Sequence, residues 1–177
     1  MHTIIAATDG SDHGRRAVDM ASDLAAKFDA NLILMHVAEP RKVTPQESQM
    51  VEAEYATELH QYPHLASEEQ LGSWDRAGIG MFIRRQTEAS EIMLRVIGQG
   101  LLNKAKARAA EKGVAHVEAV LRENATPAEA ILEAAKEKGA DMIVLGSRGL
   151  GALSGIVQGS VSQKVAHLAD ANLVIVK

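Results

Sequence analysis

Short apolar runs alternate with amphipathic stretches along this chain. The runs "TIIAAT" (3–8), "NLILMHV" (31–37), "VAHVEAVL" (114–121), "DMIVLG" (141–146) and "LVIVK" (173–177) are rich in β-branched residues and of strand length. Between the first two, "DHGRRAVDMASDLAAKFDA" places Ala17, Met20, Ala21, Leu24 and Phe28 at helix spacing, which predicts a helix buried along that face. "TPAEAILEAAKEKGAD" carries a start signal, with Thr126 as cap, Pro127 at the first helical position and Glu129 three residues on, and a stop at Gly139. Strands alternating with helices predict an α/β fold whose parallel sheet is covered on both faces.

One connection breaks the rhythm. From residue 40 to about 86 the chain spends roughly 45 residues where a loop of ~2–6 would serve. This segment reads as a helical insertion within one domain spanning 1–177. "TPQE" (44–47) and "SEEQ" (67–70) have capping-box form, and "ESQMVEAEYATELHQ" predicts a helix ending before Pro63. Tyr55, Tyr62, Trp74 and Phe82 all fall here, either anchoring the insertion or serving a lid or subunit contact. "TEASEIMLRVIGQGLLNKAKARAAEKG" then predicts a long helix loosened at Gly98 and Gly100.

The second anomaly is "GSRGLGALSGIVQGSVSQ" (146–163), where Gly146 closes a strand and Gly149, Gly151, Gly155 and Gly159 follow. "SVSQ" fits a capping box with Ser160 as cap and Gln163 at N3. A strand, a glycine-rich loop and a helix start make an anion site, because free N–H groups and the helix dipole converge there. No Asp or Glu occurs between Gly146 and Ala169, while Arg148 and Lys164 do. A plain surface loop is the alternative. Neither a GxxxxGK[ST] loop nor a GxGxxG after the first strand is present, so P-loop and dinucleotide binding are disfavoured and a bound phosphate is expected in another geometry. "ATDGSD" (7–12) puts Asp9 at the carboxyl end of the first strand, where it could take both hydroxyls of a ribose, or simply cap the following helix or organise the turn with Gly10 and Ser11.

Composition narrows the classes. The 177 residues carry 46% hydrophobic and 24% charged side chains, values of a soluble globular domain. The net charge of -4 disfavours a nucleic-acid partner, and the absence of cysteine excludes disulfides and thiolate chemistry. No run approaches the ~20 apolar residues of a membrane span and the start is not signal-like, so a cytoplasmic protein with no membrane partner is the expectation. His60 and His64 are spaced for a metal but Pro63 intervenes, so solvent-facing histidines are expected and no metal ligand is assigned. His36 reads as a partly buried, hydrogen-bonded residue, and Lys104, Lys106, Arg108 and Lys112 as a solvated helix face.

The two ends of the chain, "TIIAATDGSDHGRRAVDMASDLA", "ANLILMHV" and "ADMIVLGSRGLGALSGIVQGSVSQKVAHLADANLVIVK", resemble the universal stress protein family. The spacing Gly146-x2-Gly149-x9-Gly159-Ser160 is similar to that of its ATP-binding branch. The resemblance covers roughly 1–40 and 85–177, and implies an open five-stranded parallel sheet of order 3-2-1-4-5. It implies that Ala7, Thr8 and Asp9 line the adenosine side with Asp9 on the ribose, and that Val37 contacts adenine. Gly146, Arg148, Gly149, Gly159, Ser160, Val161 and Ser162 would surround the phosphates. ATP (or ADP or AMP) is the implied ligand, with Mg2+ or Mn2+ held mostly by the phosphates. The implied role is an adenine-nucleotide-binding stress-response protein, a homodimer through 173–177 acting as a nucleotide-dependent switch or adaptor with a protein partner the sequence does not identify. The alternatives are an interaction protein of the same fold that binds no nucleotide, and a slow ATP hydrolase. No catalytic base is evident besides Asp9, so no catalytic residue is assigned and at most weak hydrolysis is expected. Ala125-Thr126-Pro127 departs from the Gly-x-Pro of many members.

Overall fold

The computed structural model describes residues 2–62, 76–150 and 159–177. In chain order the elements are β1 (Thr3–Ala7), α1 (Asp12–Phe28), β2 (Asn31–Ala38), α2 (Pro45–Glu54), α3 (Ala56–Leu59), α4 (Arg76–Glu111), β3 (Val117–Glu123), α5 (Pro127–Glu137), β4 (Met142–Gly146), α6 (Ser160–Leu168) and β5 (Asn172–Val176). The five strands form one parallel sheet in the order β3-β2-β1-β4-β5, as expected. The chain separates into two compact units, Met1–Glu39 with Gly98–Lys177, and Pro40–Ile97.

The first unit holds the sheet. Strand alternation sends Ile4, Ala6, Leu32, Leu34 and Val144 to one face, under Ala17, Val18, Ala21 and Ala25 of α1 and Leu102, Ala105 and Ala109 of α4. Ile5, Ile33, Met35, Ile143 and Leu145 point to the other, under Ala128, Ile131 and Ala134 of α5 and Val165 of α6. Each fully buried Ile, Leu or Val contributes roughly 1.5–3 kcal/mol, so this two-faced sheet supplies most of the driving force.

One correction follows from how α1 sits. The buried face of α1 is Gly14, Ala17, Val18, Ala21, Ser22 and Ala25, whereas Met20 and Phe28 are 43% and 52% exposed. Small residues face the sheet because they allow close approach, which turns the larger apolar side chains outward. The basic run at the end of α4 is solvated as expected, with Lys104, Lys106 and Arg108 exposed, and Arg108 and Lys112 also make surface ion pairs. Arg108 makes two bonds to Asp19, at 2.9 and 2.6 Å, and Lys112 meets Asp23 at 2.6 Å, clamping α4 to the outer side of α1.

Gly98 does not loosen α4, which is continuous. A Cβ there would stand 2.7 Å from both His36 Cδ2 and Leu121 Cδ1, so this glycine lets the helix lie against β2 and β3. The third strand begins at Val117, three residues later than its apolar run. Thr126 caps α5 by backbone geometry, with its hydroxyl on the Glu129 carboxylate and not on a backbone N–H.

In the second unit, "TPQE" forms the expected capping box: Thr44 Oγ1 accepts from Glu47 N–H, and Glu47 accepts from Thr44 N–H at 2.9 Å. Arg41 adds bonds of 2.8 and 2.5 Å to the same carboxylate, and this pairing holds Glu47 down to about 2. The predicted helix up to Pro63 is instead two pieces, interrupted at Tyr55, whose φ of -126° leaves the helical region. "SEEQ", His64, Trp74 and the side chain of Phe82 lie outside the described residues.

Candidate functional site

The order of the sheet reverses between β1 and β4, and open parallel sheets bind ligands at the carboxyl ends of such strands. Asp9 stands there. Its Oδ1 accepts from Ser11 N–H at 3.0 Å and its Oδ2 from Leu150 N–H at 2.8 Å. The carboxylate therefore organises the turn into α1 and also holds the start of the glycine stretch. The cap of α1 is Ser11, whose Oγ accepts from Gly14 N–H at 3.1 Å. A carboxylate oxygen has two lone pairs, so each oxygen of Asp9 keeps one acceptor position for a further donor.

The neighbouring residues are held as firmly. Thr8 is buried, its Oγ1 accepts from Gly10 N–H at 3.2 Å, and its carbonyl lies 2.8 Å from His36 Nδ1. A carbonyl can only accept, so His36 carries its proton on Nδ1, and it is the half-buried, hydrogen-bonded residue expected. Ala7 lies between Met35 of β2 and Leu145 of β4. Val37 stands near the end of β2 opposite Arg122, on the side of β1 away from β4.

Packing requires Gly146, and at Gly149 a side chain would displace the Asp9 carboxylate. At Gly146 a Cβ would sit 2.7 Å from His13 C and 2.8 Å from Gly14 N, because the first turn of α1 presses on the end of β4. At Gly149 it would sit 2.6 Å from Asp9 Oδ2. Gly159 differs: its nearest neighbours would be Ser147 O at 3.5 Å and Arg148 Cα at 3.6 Å, ordinary contact, and its φ of -75° suits any residue.

The α6 terminus corrects one expectation. Gly159, not Ser160, occupies the cap position, and no side chain caps the helix. The reason lies in Ser162, whose hydroxyl turns back to Gly159 O at 3.0 Å and Ser147 O at 3.2 Å and fixes the turn one residue earlier. The first intrahelical bond runs from Gln163 N–H to Gly159 O, so the N–H groups of Ser160, Val161 and Ser162 have no acceptor within the helix.

Charge is distributed differently from expectation too. Lys164 is bonded to Glu129 of α5 at 2.8 Å, which holds that carboxyl below its usual range and removes Lys164 as a free cation. Arg148, half-buried beside the loop, makes no ion pair among the described residues. Asp9 thus lies against Gly149 and Leu150, and Gly159 and Ser162 against Ser147, with Ser160 and Val161 on the first turn of α6.

Sequence reasoning missed Ser11, His13 and Ser147. Ser11, three residues before Gly14 at a helix start, has a capping signature that could have found it. His13 and Ser147, whose side chains meet at 2.8 Å across 134 residues of chain, leave no local trace. No group of three metal-ligating side chains occurs among the described residues, and none of the described helices is long and apolar enough to cross a membrane. A depression of about 500 Å³ exists at the opposite ends of β1, β2 and β3, but its Lys138 and Glu118 already pair at 2.7 Å.

Known proteins match this arrangement over its whole length. The Universal stress protein family model matches residues 1–177. Universal stress protein YxiE of Bacillus subtilis is 34% identical, over 98% of this chain and 97% of its own. Among solved structures, a universal stress protein in complex with cAMP superposes with a TM-score of 0.60 at 25% identity, covering 99% of this chain and 95% of that one. The universal stress protein of Archaeoglobus fulgidus in complex with dAMP gives 0.55 at 18% identity, over 100% and 98%, a likeness of fold.

Proposed function

The chain belongs to the universal stress protein family, and from that premise we propose that it is an adenine-nucleotide-binding stress-response protein of the ATP-binding branch, a dimeric nucleotide-dependent switch or adaptor. The observation that supports this reading is the bond between Asp9 Oδ2 and Leu150 N–H, which joins the end of β1 to the glycine stretch. The cAMP complex of a 25% identical structure supports the ligand class.

In this reading the spare acceptor positions of Asp9 take ribose hydroxyls, with Ala7 and Thr8 beside the adenosine and Val37 against adenine. The phosphates sit against Gly146, Gly149 and Gly159, on the open N–H groups of Ser160, Val161 and Ser162, with Arg148 supplying charge. Mg2+ or Mn2+ accompanies ATP through phosphate oxygens. The single domain works in the cytoplasm, with 40–86 as an insertion. β5 pairs only with β4 among the described residues, and its Leu173–Val176 edge is apolar and half-buried. Pairing 173–177 with a second copy satisfies its outer N–H and C=O groups.

Native mass spectrometry and calorimetry with ATP, ADP and AMP test the proposal. A copurifying adenine nucleotide or saturable binding is expected, and Asp9→Ala lowers the affinity at least tenfold. Absence of both adduct and heat with all three ligands overturns it. Phosphate release above background that Arg148→Ala abolishes would move the protein to the weak-hydrolase alternative.

A further inference from the structure

Ser147, the residue after β4, is only 2% exposed, yet each of its polar groups is used. Its N–H donates to Val176 O of β5 at 2.7 Å, and its carbonyl accepts from Gly159 N–H at 2.7 Å and from Ser162 Oγ at 3.2 Å. Its hydroxyl meets His13 Nδ1 of α1 at 2.8 Å. One buried residue therefore joins β5, α6, α1 and the far end of the glycine stretch. A loop anchor needs far fewer attachments, and a buried serine with all of them satisfied is rigid.

The bond to Gly159 is the neck of the stretch. The chain leaves the sheet at Ser147 and enters α6 at Gly159, so this 2.7 Å contact sets the distance between the two ends whatever lies between. His13 fixes the neck from the side of α1. Its backbone and Cβ lie against Gly146, close enough that a Cβ there would be 2.7 and 2.9 Å away, and its ring reaches the Ser147 hydroxyl. Two residues past the anchor, Gly149 passes Asp9 with no room to spare, and Leu150 N–H lands on Oδ2. A small rotation at Ser147 would miss that acceptor.

We infer that His13 and Ser147 are positioning residues of the glycine loop: without touching a ligand, their hydrogen bond holds the Ser147–Gly159 neck in register with Asp9. Through Val176 the same residue ties the neck to β5, so a displacement of the loop is felt on the edge strand. The consequence for ligand affinity rests on the nucleotide reading above, whereas the neck itself does not.

The test uses the full chain with Ser147→Ala, His13→Leu and His13→Asn, the last placing an amide near the position of Nδ1. Amide hydrogen exchange at Gly159 and Ser147 is followed without ligand, and AMP and ATP affinities by calorimetry. Exchange at both amides is expected to rise at least tenfold in Ser147→Ala and His13→Leu and to return to near wild type in His13→Asn. Affinity falls about tenfold in the first two and recovers in the third. Unchanged exchange in Ser147→Ala and His13→Leu overturns the inference. So does raised exchange with wild-type affinity, because the neck then positions nothing. If the wild-type chain binds neither nucleotide, the nucleotide reading fails, and exchange alone still decides whether the pair holds the neck. A rise that His13→Asn does not reverse assigns the effect to lost packing and overturns the hydrogen-bond role.

Discussion

Gly159→Ala separates a glycine needed by the fold from one needed by a ligand. In the protein itself the new methyl group meets Ser147 O at 3.5 Å, Arg148 Cα at 3.6 Å and Gly149 N at 3.9 Å, all at or beyond normal contact. The backbone at φ -75° and ψ 158° is open to alanine. Two small effects oppose each other. Alanine is a poorer N-cap than glycine, by somewhat under ~1 kcal/mol, while losing glycine's freedom in the unfolded chain gains ~0.4–1 kcal/mol. Stability should stay within about 0.5 kcal/mol, or a Tm change of about 2 °C or less for a chain of this size. A phosphate seated on the first-turn N–H groups of α6 leaves no such space, since a methyl beside the cap pushes it off hydrogen-bond distance. Losing one charge-assisted bond costs at least ~1.4 kcal/mol, a tenfold weaker Kd. Scanning calorimetry and nucleotide titration on the same sample give both numbers. An unchanged Tm with an unchanged Kd would refute the placement of phosphate at this terminus, and a large Tm loss would refute the packing argument.

Gly146→Ala should do the opposite and act through the fold. Its methyl collides at 2.7–2.8 Å with main-chain atoms of His13 and Gly14, which cannot yield singly, so about 1–3 kcal/mol and about 2–12 °C of Tm are expected to be lost in a thermal melt. In the second unit, the Glu47 carboxyl is lowered from 4.5 to about 2, chiefly by its hydrogen bond from Arg41, so its stabilising effect is full above pH 4.5 and disappears as pH falls through about 2. Carbon-13 NMR of that carboxyl should give a midpoint near 2, and the stability deficit of Glu47→Gln in urea should be constant from pH 5 to 8 and shrink below 4.5; a midpoint near 4.5 would contradict the pairing.

The strands were readable because a parallel strand buried on both faces reads as a near-continuous apolar run, and Ile4–Ile5, Leu32–Leu34 and Ile143–Leu145 are such runs. Their order was legible only through the family resemblance. Hydrophobicity misjudged α1, since pattern reasoning weights Met20 and Phe28 above Ala17, Ala21 and Ala25, while close packing on a sheet favours the small side chains. The cap of α6 was displaced by one residue because Ser162, by bonding Gly159 O and Ser147 O, competes for the turn in a way no local motif encodes. Lys164 looked available until Glu129, on a separate helix, was brought beside it. At the candidate site, Asp9 and the glycines can be proposed from type and position alone. The contacts that join them, His13 to Ser147 and Leu150 to Asp9, connect residues more than a hundred positions apart and exist only once the sheet has closed.

That closure has a cost during synthesis. β1 lies in the centre of the sheet, yet its partner β4 is made far later; the bond from Thr3 N–H to the Asp141 carboxylate, at the edge of their pairing, spans 138 residues. At ~5–20 residues per second a ribosome needs about 7–28 s to supply that length. Throughout this interval Ile4 and Ile5 have β2 on one side and an open hydrogen-bonding edge on the other. The nascent chain is most vulnerable to misassociation in that window, and a chaperone that shields its first strand would act there.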